Sequence, residues 1–383
     1  MKRLMGLCLC LLGVFGTCAT MAATVRLAYN PRTVDALKIV DAPYSSYCAL
    51  RRCASNEGSQ TLFKYDRTVT LGTPDTSRHF SMQMPGQRTL RLTSGSASVE
   101  LKVEMFALHL RPYPSAQTGM GANPFQGNMA AGCNQDYYYL GSNYLGVIWK
   151  PNSAENTSHC RIDTASMAYR TWTADVEAGP AYRLSIAGYP RLPAGVYTGS
   201  LVYHVTNGAG PDFDVGRNSS VHDYSFTLNF EMTVERDLQA GFTEPVDTLE
   251  LLPAGGWDSW APGSRPPVLR ARAPFSVTTN APFRVSYRCA TLADDGRCAL
   301  GTFSNHTRAP FTITLNWDNA PPLAPGYPAE GQPNGQGRTF GYAASMGRYP
   351  GVFNFVMDDS SPLFTARGKQ WSGDVTVVFD TQL

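Results

Sequence analysis

The chain carries the same short pattern twice: an aromatic residue, a small-residue turn and a strand with apolar residues. It occurs mid-chain as Tyr197-Thr198-Gly199 leading into Ser200–Val205, and at the end as Trp371-Ser372-Gly373 leading into Asp374–Phe379. Such residues favour a pleated, half-buried surface. After the first copy the chain continues into another strong strand, Tyr224–Val234, whereas after the second copy it stops. If both copies close equivalent sandwiches, the second sandwich lacks its last strand.

Residues 1–22 are typical of a secretory signal peptide. Lys2 and Arg3 form a basic start, Leu4–Phe15 an apolar run, and Thr20-Met21-Ala22 a small-residue cleavage site. The apolar run is shorter than the roughly 18 residues that a membrane span requires. We therefore expect a chain that is exported through the periplasm.

The composition predicts many short strands joined by tight turns. Charged residues make up 16% of the chain, against about 25% in average proteins, while Gly (35) and Pro (27) are abundant. No stretch after the signal shows helical periodicity. The formal net charge of +2 gives no reason to expect a nucleic-acid partner.

The predicted fold class is all-β, with two Ig-like β-sandwich domains in tandem. Since domains usually hold about 100–200 residues, we expect an N-terminal domain over 23–236 and a C-terminal domain over 237–383, joined at Glu235-Arg236-Asp237. The predicted strands are Thr24–Ala28, Thr61–Tyr65, Thr68–Leu71, Phe80–Met82, Thr89–Leu92, Val99–Leu110, Tyr137–Tyr139, Leu145–Trp149, Ala181–Ile186, Tyr224–Val234, Val246–Leu252, Phe275–Thr278, Phe283–Tyr287, Phe311–Trp317, Phe353–Met357 and the terminal strand.

Six cysteines remain once the signal, which holds Cys8, Cys10 and Cys18, is removed. An even number in an exported chain predicts disulfides. Their proximity in sequence favours three neighbouring pairs, and no CxxC spacing supports a zinc site. The expected pairs are Cys48/Cys53, Cys133/Cys160 and Cys289/Cys298.

Several of these features occur in an order that resembles the CblD/CfaE-type tip adhesins, or pilus biogenesis initiators, of class 5 (alpha-type) chaperone–usher fimbriae. The features are the early Cys48/Cys53 loop, Gly132-Cys133 with Asn156–Cys160, the Leu192–Tyr197 turn, a mid-chain linker, a Cys in the first half of the second domain and the terminal aromatic–Ser–Gly strand. The resemblance spans the whole mature chain.

The resemblance implies a fimbrial tip subunit that initiates pilus assembly and adheres to a host surface. Its C-terminal domain would accept a donor strand from the major pilin subunit along a groove edged by Val375, Val377 and Phe379. It also implies a periplasmic chaperone, an outer-membrane usher, a host-cell glycan or glycoprotein receptor, and a final location at the fimbrium tip. No cofactor or metal is expected.

For receptor binding, the resemblance points to His159, which matches in place a histidine of the family's basic pocket. Arg161 flanks the same cysteine, and Arg51 and Arg52 lie in the tight Cys48–Cys53 loop. Arginine suits carboxylate or sulfate groups because its planar fork binds them at two points. The family also carries an Arg pair after the Leu-Pro-x-Gly turn; here no arginine follows that turn before Arg217.

Two interpretations without a binding role stay open for residues that could otherwise contact a receptor. Arg51 and Arg52 can be an ordinary solvated pair, and Tyr137–Tyr139 can be buried alternately in a strand instead of stacking on sugars. Two other functions also remain: a self-complete exported Ig-like binding module and a secreted hydrolase. GxSxG, HExxH, P-loop and GxGxxG motifs are absent, so the chain is expected not to be an enzyme.

Overall fold

The computed structural model describes residues 21–30, 32–33, 36–42, 46–60, 63–188, 192–261, 263–264, 267–302, 305–317, 338–341, 347–365 and 369–381. The predicted all-β tandem-sandwich class is confirmed, since the described residues form mainly strands and their two α-helices hold five residues each. The expected signal peptide lies almost wholly outside these residues, and its last two, Met21 and Ala22, open the first strand.

The elements are, in chain order, β1 Met21–Tyr29, β2 Leu37–Asp41, α1 Ser46–Leu50, β3 Glu57–Ser59, β4 Phe63–Leu71, β5 Ser81–Met84, β6 Arg88–Ser94, β7 Ala97–Pro114, β8 Asn128–Ala131, β9 Cys133–Leu140, β10 Leu145–Pro151, β11 Ser158–Asp163, β12 Arg170–Ile186, β13 Gly195–Thr206, β14 Phe213–Asp214, β15 Ser219–Val221, β16 Ser225–Val234, β17 Leu238–Phe242, β18 Leu252–Pro253, β19 Leu269–Thr279, β20 Phe283–Cys289, β21 Cys298–Thr302, β22 Asn305–Asn316, β23 Arg338–Phe340, β24 Gly347–Met357, α2 Ser361–Thr365 and β25 Val375–Asp380.

Strands β1 to β16 enclose one large apolar core. The long strand β12 pairs with β4 on one side and with β7 on the other, and β1 runs parallel to β16. The largest fully buried side chains of this core include Trp149, Trp172 and Phe80, and Phe80 contacts both indole rings edge-on. This core positions the loops and edge strands described below.

A β-bulge in β7 exchanges the two faces of this strand. Before the bulge Val103 and Met105 point into the core, and after it Leu108 and Leu110 do so. One extra residue on one strand shifts every later side chain to the opposite face. The strand predicted over Val99–Leu110 therefore extends to Ala97–Pro114, and it buries different faces before and after the bulge.

The second half of the chain forms two smaller sheets around a second core. One sheet has the order β17-β19-β24-β22-β21 and the other β23-β20-β25. Rings of the two sheets meet directly, as in the contact between Phe275 and Phe379 at 5.3 Å. The antiparallel pairing of β20 with β25 leaves β25 at the edge of the smaller sheet, within the part of the chain that is described.

The connection between the two sets of strands is short and is held by the side chain of one buried residue, Asn280. Asn280 is completely buried; its Nδ2 donates to the carbonyls of Leu192 (3.2 Å) and Glu235 (2.9 Å), and its Oδ1 accepts from the Asp237 amide (2.8 Å). Arg32 pairs with the Asp237 carboxylate. The exact division into domains at residue 236 stays a prediction, but the predicted linker lies between the last strand of one core and the first of the next.

The three expected disulfides are present as Cys48–Cys53, Cys133–Cys160 and Cys289–Cys298. The first holds α1 against the outer face of the large sheet, where Tyr47 packs with Ala107, Ile148 and Ala181.

The sequence also predicts a long Pro/Gly loop at 321–337, which lies outside the described residues.

Candidate functional site

The edge strand β25 carries apolar side chains that its own sheet leaves half covered. Val375, Val377 and Phe379 share one face and pack against the second core, yet none of them is fully buried. Among the described residues, β25 forms a ladder only with β20. A strand edge with unpaired backbone groups beside half-exposed apolar side chains can receive another strand.

A surface pocket of about 310 Å³ brings together two of the receptor residues expected from the sequence. His159 and Arg161 line it from β11, opposite Gln83 and Ser81 of β5. Gly132, with φ of 75°, lies against the backbone of His159, where a Cβ would overlap its carbonyl. The Arg161 Nε is buried and has no hydrogen-bond partner among the described residues.

The opposite wall of the pocket comes from the turn around Asp214 and Gly216. The Asp214 carboxylate accepts from the amides of Gly216 (2.8 Å) and Ala209 (2.9 Å), which fixes the turn. Arg217 follows Gly216 directly and is exposed. Of the expected receptor residues, His159 and Arg161 thus line one pocket, and Arg217 follows the pocket residue Gly216 in sequence.

A buried arginine beneath this turn was missed by the sequence analysis. Arg67 is 1% exposed; it donates to the carbonyls of Val215 and His79 and to the Ser219 hydroxyl. Burial lowers the pKa of Arg67, while Tyr65 and Asp214 act in the opposite direction. A signal existed in β4, where Arg67 occupies an inward position of an otherwise apolar alternation.

Arg51 and Arg52 lie elsewhere, on the outer face of the large sheet. The Arg51 guanidinium binds the backbone and carboxylate of Asp136 (3.2 and 3.1 Å) and covers the Tyr137 ring at 4.9 Å. Arg52 is exposed. Strand β9 thus supplies Arg51 with an acid and a ring, and the role of both arginines in receptor binding stays a prediction.

The described residues contain no cluster of three or more His, Cys, Asp or Glu side chains that could hold a metal ion. None of the helices in the same residues is long and apolar enough to span a membrane.

No protein-family model matches the sequence. No curated protein matches it either. Solved structures to which the chain shows similarity include CfaE, the adhesive subunit of CFA/I fimbria of enterotoxigenic Escherichia coli (TM-score 0.36, 11% identity, 95% of each chain). Another is a chaperone–tip adhesin complex of CFA/I fimbriae (TM-score 0.32, 12% identity, 95% of this chain and 97% of the other).

A third similar structure is the CsuC–CsuE chaperone–tip adhesion subunit pre-assembly complex of archaic chaperone–usher Csu pili from Acinetobacter baumannii (TM-score 0.31, 9% identity, 94% of this chain and 98% of the other). These similar structures are thus fimbrial tip adhesins, alone or with a chaperone. Similarity at this level does not by itself establish a shared function.

Proposed function

We propose that this protein is a fimbrial tip subunit that accepts a donor strand beside β25 and binds a host-surface glycan through its N-terminal strands. The observation that carries the proposal is the edge of β25, with Val377 and Phe379 half exposed against the second core. A major pilin would supply the strand. A periplasmic chaperone would protect the edge before that exchange, and an outer-membrane usher would export the subunit.

The chemistry of the edge favours strand addition over other uses. Val375, Val377 and Phe379 recur with the period of two that a neighbouring strand also has. An added strand would pair with the free backbone groups of β25 and place alternate side chains over the exposed part of the core. Left open, such an edge promotes aggregation, which explains the need for a chaperone.

The test is a fusion that supplies the strand in cis. A flexible linker and a strand of about ten residues, within normal strand length, are added after the C-terminus with apolar residues at alternate positions. We expect the fusion to be monomeric and to melt at a higher temperature than the unfused chain. The matched control shifts the apolar positions by one residue, which turns them away from the core and should stabilise nothing.

Substitutions within β25 give a second readout. Val377→Glu would place a charge against the core and should abolish stabilisation by the fused strand, whereas Thr376→Glu, on the exposed face, should preserve it. If the unfused chain is already monomeric and the fused strand changes neither its state nor its melting temperature, the self-complete binding module becomes the better proposal. A truncation at Arg236 should be a stable monomer under both proposals, and serves as the folding control.

For the receptor, we propose that His159 and Arg161, which line the 310 Å³ pocket, bind an acidic glycan together with Arg217, which follows the pocket residue Gly216 in sequence. The planar fork of arginine, which binds such groups at two points, favours a carboxylate or sulfate. The paired Arg51 contributes less than the sequence alone suggests, and Arg52 lies with it on the outer face. Arg161→Ala and His159→Ala should each reduce binding to sialylated or sulfated oligosaccharides by about tenfold, the equivalent of one charge-assisted hydrogen bond.

The control for this assay is Arg297→Ala. Arg297 is an exposed arginine of the second half that pairs with Asp295 at 2.7 Å, so its loss removes the same charge from the chain without touching the pocket. Equal binding by the Arg161 variant and the unsubstituted chain would refute the pocket assignment and leave the strand-acceptor proposal untouched.

A further inference from the structure

Four tyrosines form a continuous half-exposed surface on the outer face of the large sheet. We call this surface the tyrosine platform; it consists of Tyr113 at the end of β7, Tyr137 and Tyr139 in β9, and Tyr144 before β10. Ring centroids lie 5.3 Å apart for Tyr137 and Tyr139, 5.7 Å for Tyr139 and Tyr144, and 5.6 Å for Tyr144 and Tyr113. None of the four rings is fully buried.

Two glycines, Gly146 and Gly141, leave the space that two rings of the platform occupy, because they have no Cβ. Gly146 lies opposite Tyr139 in the β9–β10 ladder, and a Cβ there would overlap the Tyr139 ring. A Cβ on Gly141 would lie 2.8 Å from the ring of Tyr144. The Tyr139 hydroxyl then donates to the Tyr144 hydroxyl at 2.8 Å. The platform is therefore preorganised, and a ligand would pay little side-chain entropy to bind it.

Each of the four cations around the platform binds a carboxylate, and each of the two carboxylates binds two cations. Asp136 binds both Arg51 and Lys150 (3.1 Å each). Glu177 binds both Lys64 (2.8 Å) and Arg111 (2.6 Å) and accepts a hydrogen bond from Tyr113 at 3.3 Å.

From this arrangement we infer that the tyrosine platform is a second glycan site, one that takes a neutral pyranose oligosaccharide. The apolar C–H face of a pyranose ring stacks on tyrosine, and its hydroxyls can both donate to Asp136 and Glu177 and accept from their cationic partners. Each cation beside the rings already binds a carboxylate, which weakens its attraction for the phosphates of a nucleic acid.

The platform is separate from the pocket at His159 and from β25, so the inference goes beyond the proposed function. Its test is saturation-transfer NMR on the full-length chain with four neutral disaccharides as probes: lactose, cellobiose, mannobiose and N,N′-diacetylchitobiose. We expect transfer to the C–H protons of one ring face with at least one probe. Tyr144→Ala and Tyr139→Leu should each weaken that binding by about tenfold, near the upper end of a single aromatic contact.

The matched controls are Tyr169→Ala and Tyr224→Ala, which remove tyrosines that are 73% and 64% exposed outside the platform. Both should bind as the unsubstituted chain does, and so should Arg161→Ala. The inference would be overturned if none of the four probes shows transfer, or if the Tyr144 and Tyr169 variants bind equally well. It would also be overturned if sialyllactose, added as an acidic comparison, binds and the four neutral probes do not. Because Tyr144 lies in a turn, its variant remains informative even if Tyr139→Leu fails to fold.

Discussion

Asn280→Ala should loosen the connection between the two halves of the molecule. The substitution removes three side-chain hydrogen bonds, two donated by Nδ2 and one accepted by Oδ1. A net value of about 1 kcal/mol per hydrogen bond gives roughly 3 kcal/mol, and buried groups left without partners would increase it. This is a large share of the about 5–15 kcal/mol that stabilises a typical domain.

The backbone bonds of residue 280 separate this effect from general unfolding. Its amide donates to the carbonyl of Asp237 (3.2 Å) and its carbonyl accepts from the Ala194 amide (2.9 Å), and both survive the substitution. The Asp237 amide, in contrast, loses its acceptor. Hydrogen exchange should therefore accelerate at Asp237 well before it does at Ala194, while urea unfolding reports the loss in free energy.

Asn229→Ala is the matched control for this experiment. Its side chain makes one exposed hydrogen bond, from Ser200 at 2.7 Å, so a change within about 0.5 kcal/mol is expected. If Asn280→Ala lowers stability no more than Asn229→Ala does, and exchange at Asp237 is unchanged, the junction does not depend on the Asn280 side chain and the reasoning is refuted.

Two further predictions concern acid stability and the disulfides. Burial, with a smaller contribution from Arg111, lowers the pKa of His109 from 6.5 to about 4. As the pH falls, the unfolded chain therefore binds a proton at His109 before the folded chain does. The free energy of unfolding should fall by about 3 kcal/mol between pH 6.5 and pH 4. The His109→Leu variant should lack this part of the acid-induced loss of stability when urea unfolding is measured at each pH. If the variant shows the same pH dependence as the unsubstituted chain, the lowered pKa of His109 is contradicted. Replacing Cys133 and Cys160 by serine opens a loop with a sequence separation of 27 and should cost about 3.5 kcal/mol, against about 2 kcal/mol for Cys48 and Cys53, whose separation is 5; the reverse order in urea unfolding would contradict the loop-length argument.

Alternation and cysteine proximity predicted a large part of this fold from the sequence. The strand expected over Tyr224–Val234 is β16 to within one residue, because its apolar side chains recur strictly with a period of two. The disulfides follow from pairs of cysteines that are close in sequence. Such local signals suffice where a structural feature depends on a single strand or a single loop, as strand β16 and the three disulfides do.

The remaining differences come from tertiary context. Strand β12 runs through Gly179-Pro180, a dipeptide that usually marks a turn, and the sequence analysis therefore predicted only its end, Ala181–Ile186. Pro180 is accommodated next to the bulge after Ala181, where the register with β7 changes. No local pattern shows which partner strand will supply such a bulge.

The candidate site was predictable only in part for the same reason. His159 and Arg161 alternate on one strand and were found together, whereas the burial of Arg67 and the pairing of Arg51 with Asp136 depend on residues far away in sequence. The tyrosine platform combines three separate segments of the chain. Its Tyr137 and Tyr139 were candidates from the sequence, but Tyr113 and Tyr144 join them only after β7, β9 and β10 have paired.

The parallel pairing of β1 with β16 sets the order in which this protein can fold. Beside this ladder, Asn30 bonds to Glu235, a partner 205 residues later in the chain, and Val25, Leu27 and Tyr29 are buried only within that arrangement. Contacts of such high sequence separation form slowly, because a long loop must close first. A chain synthesised from its N-terminus therefore exposes the apolar side chains of β1 until β16 has followed.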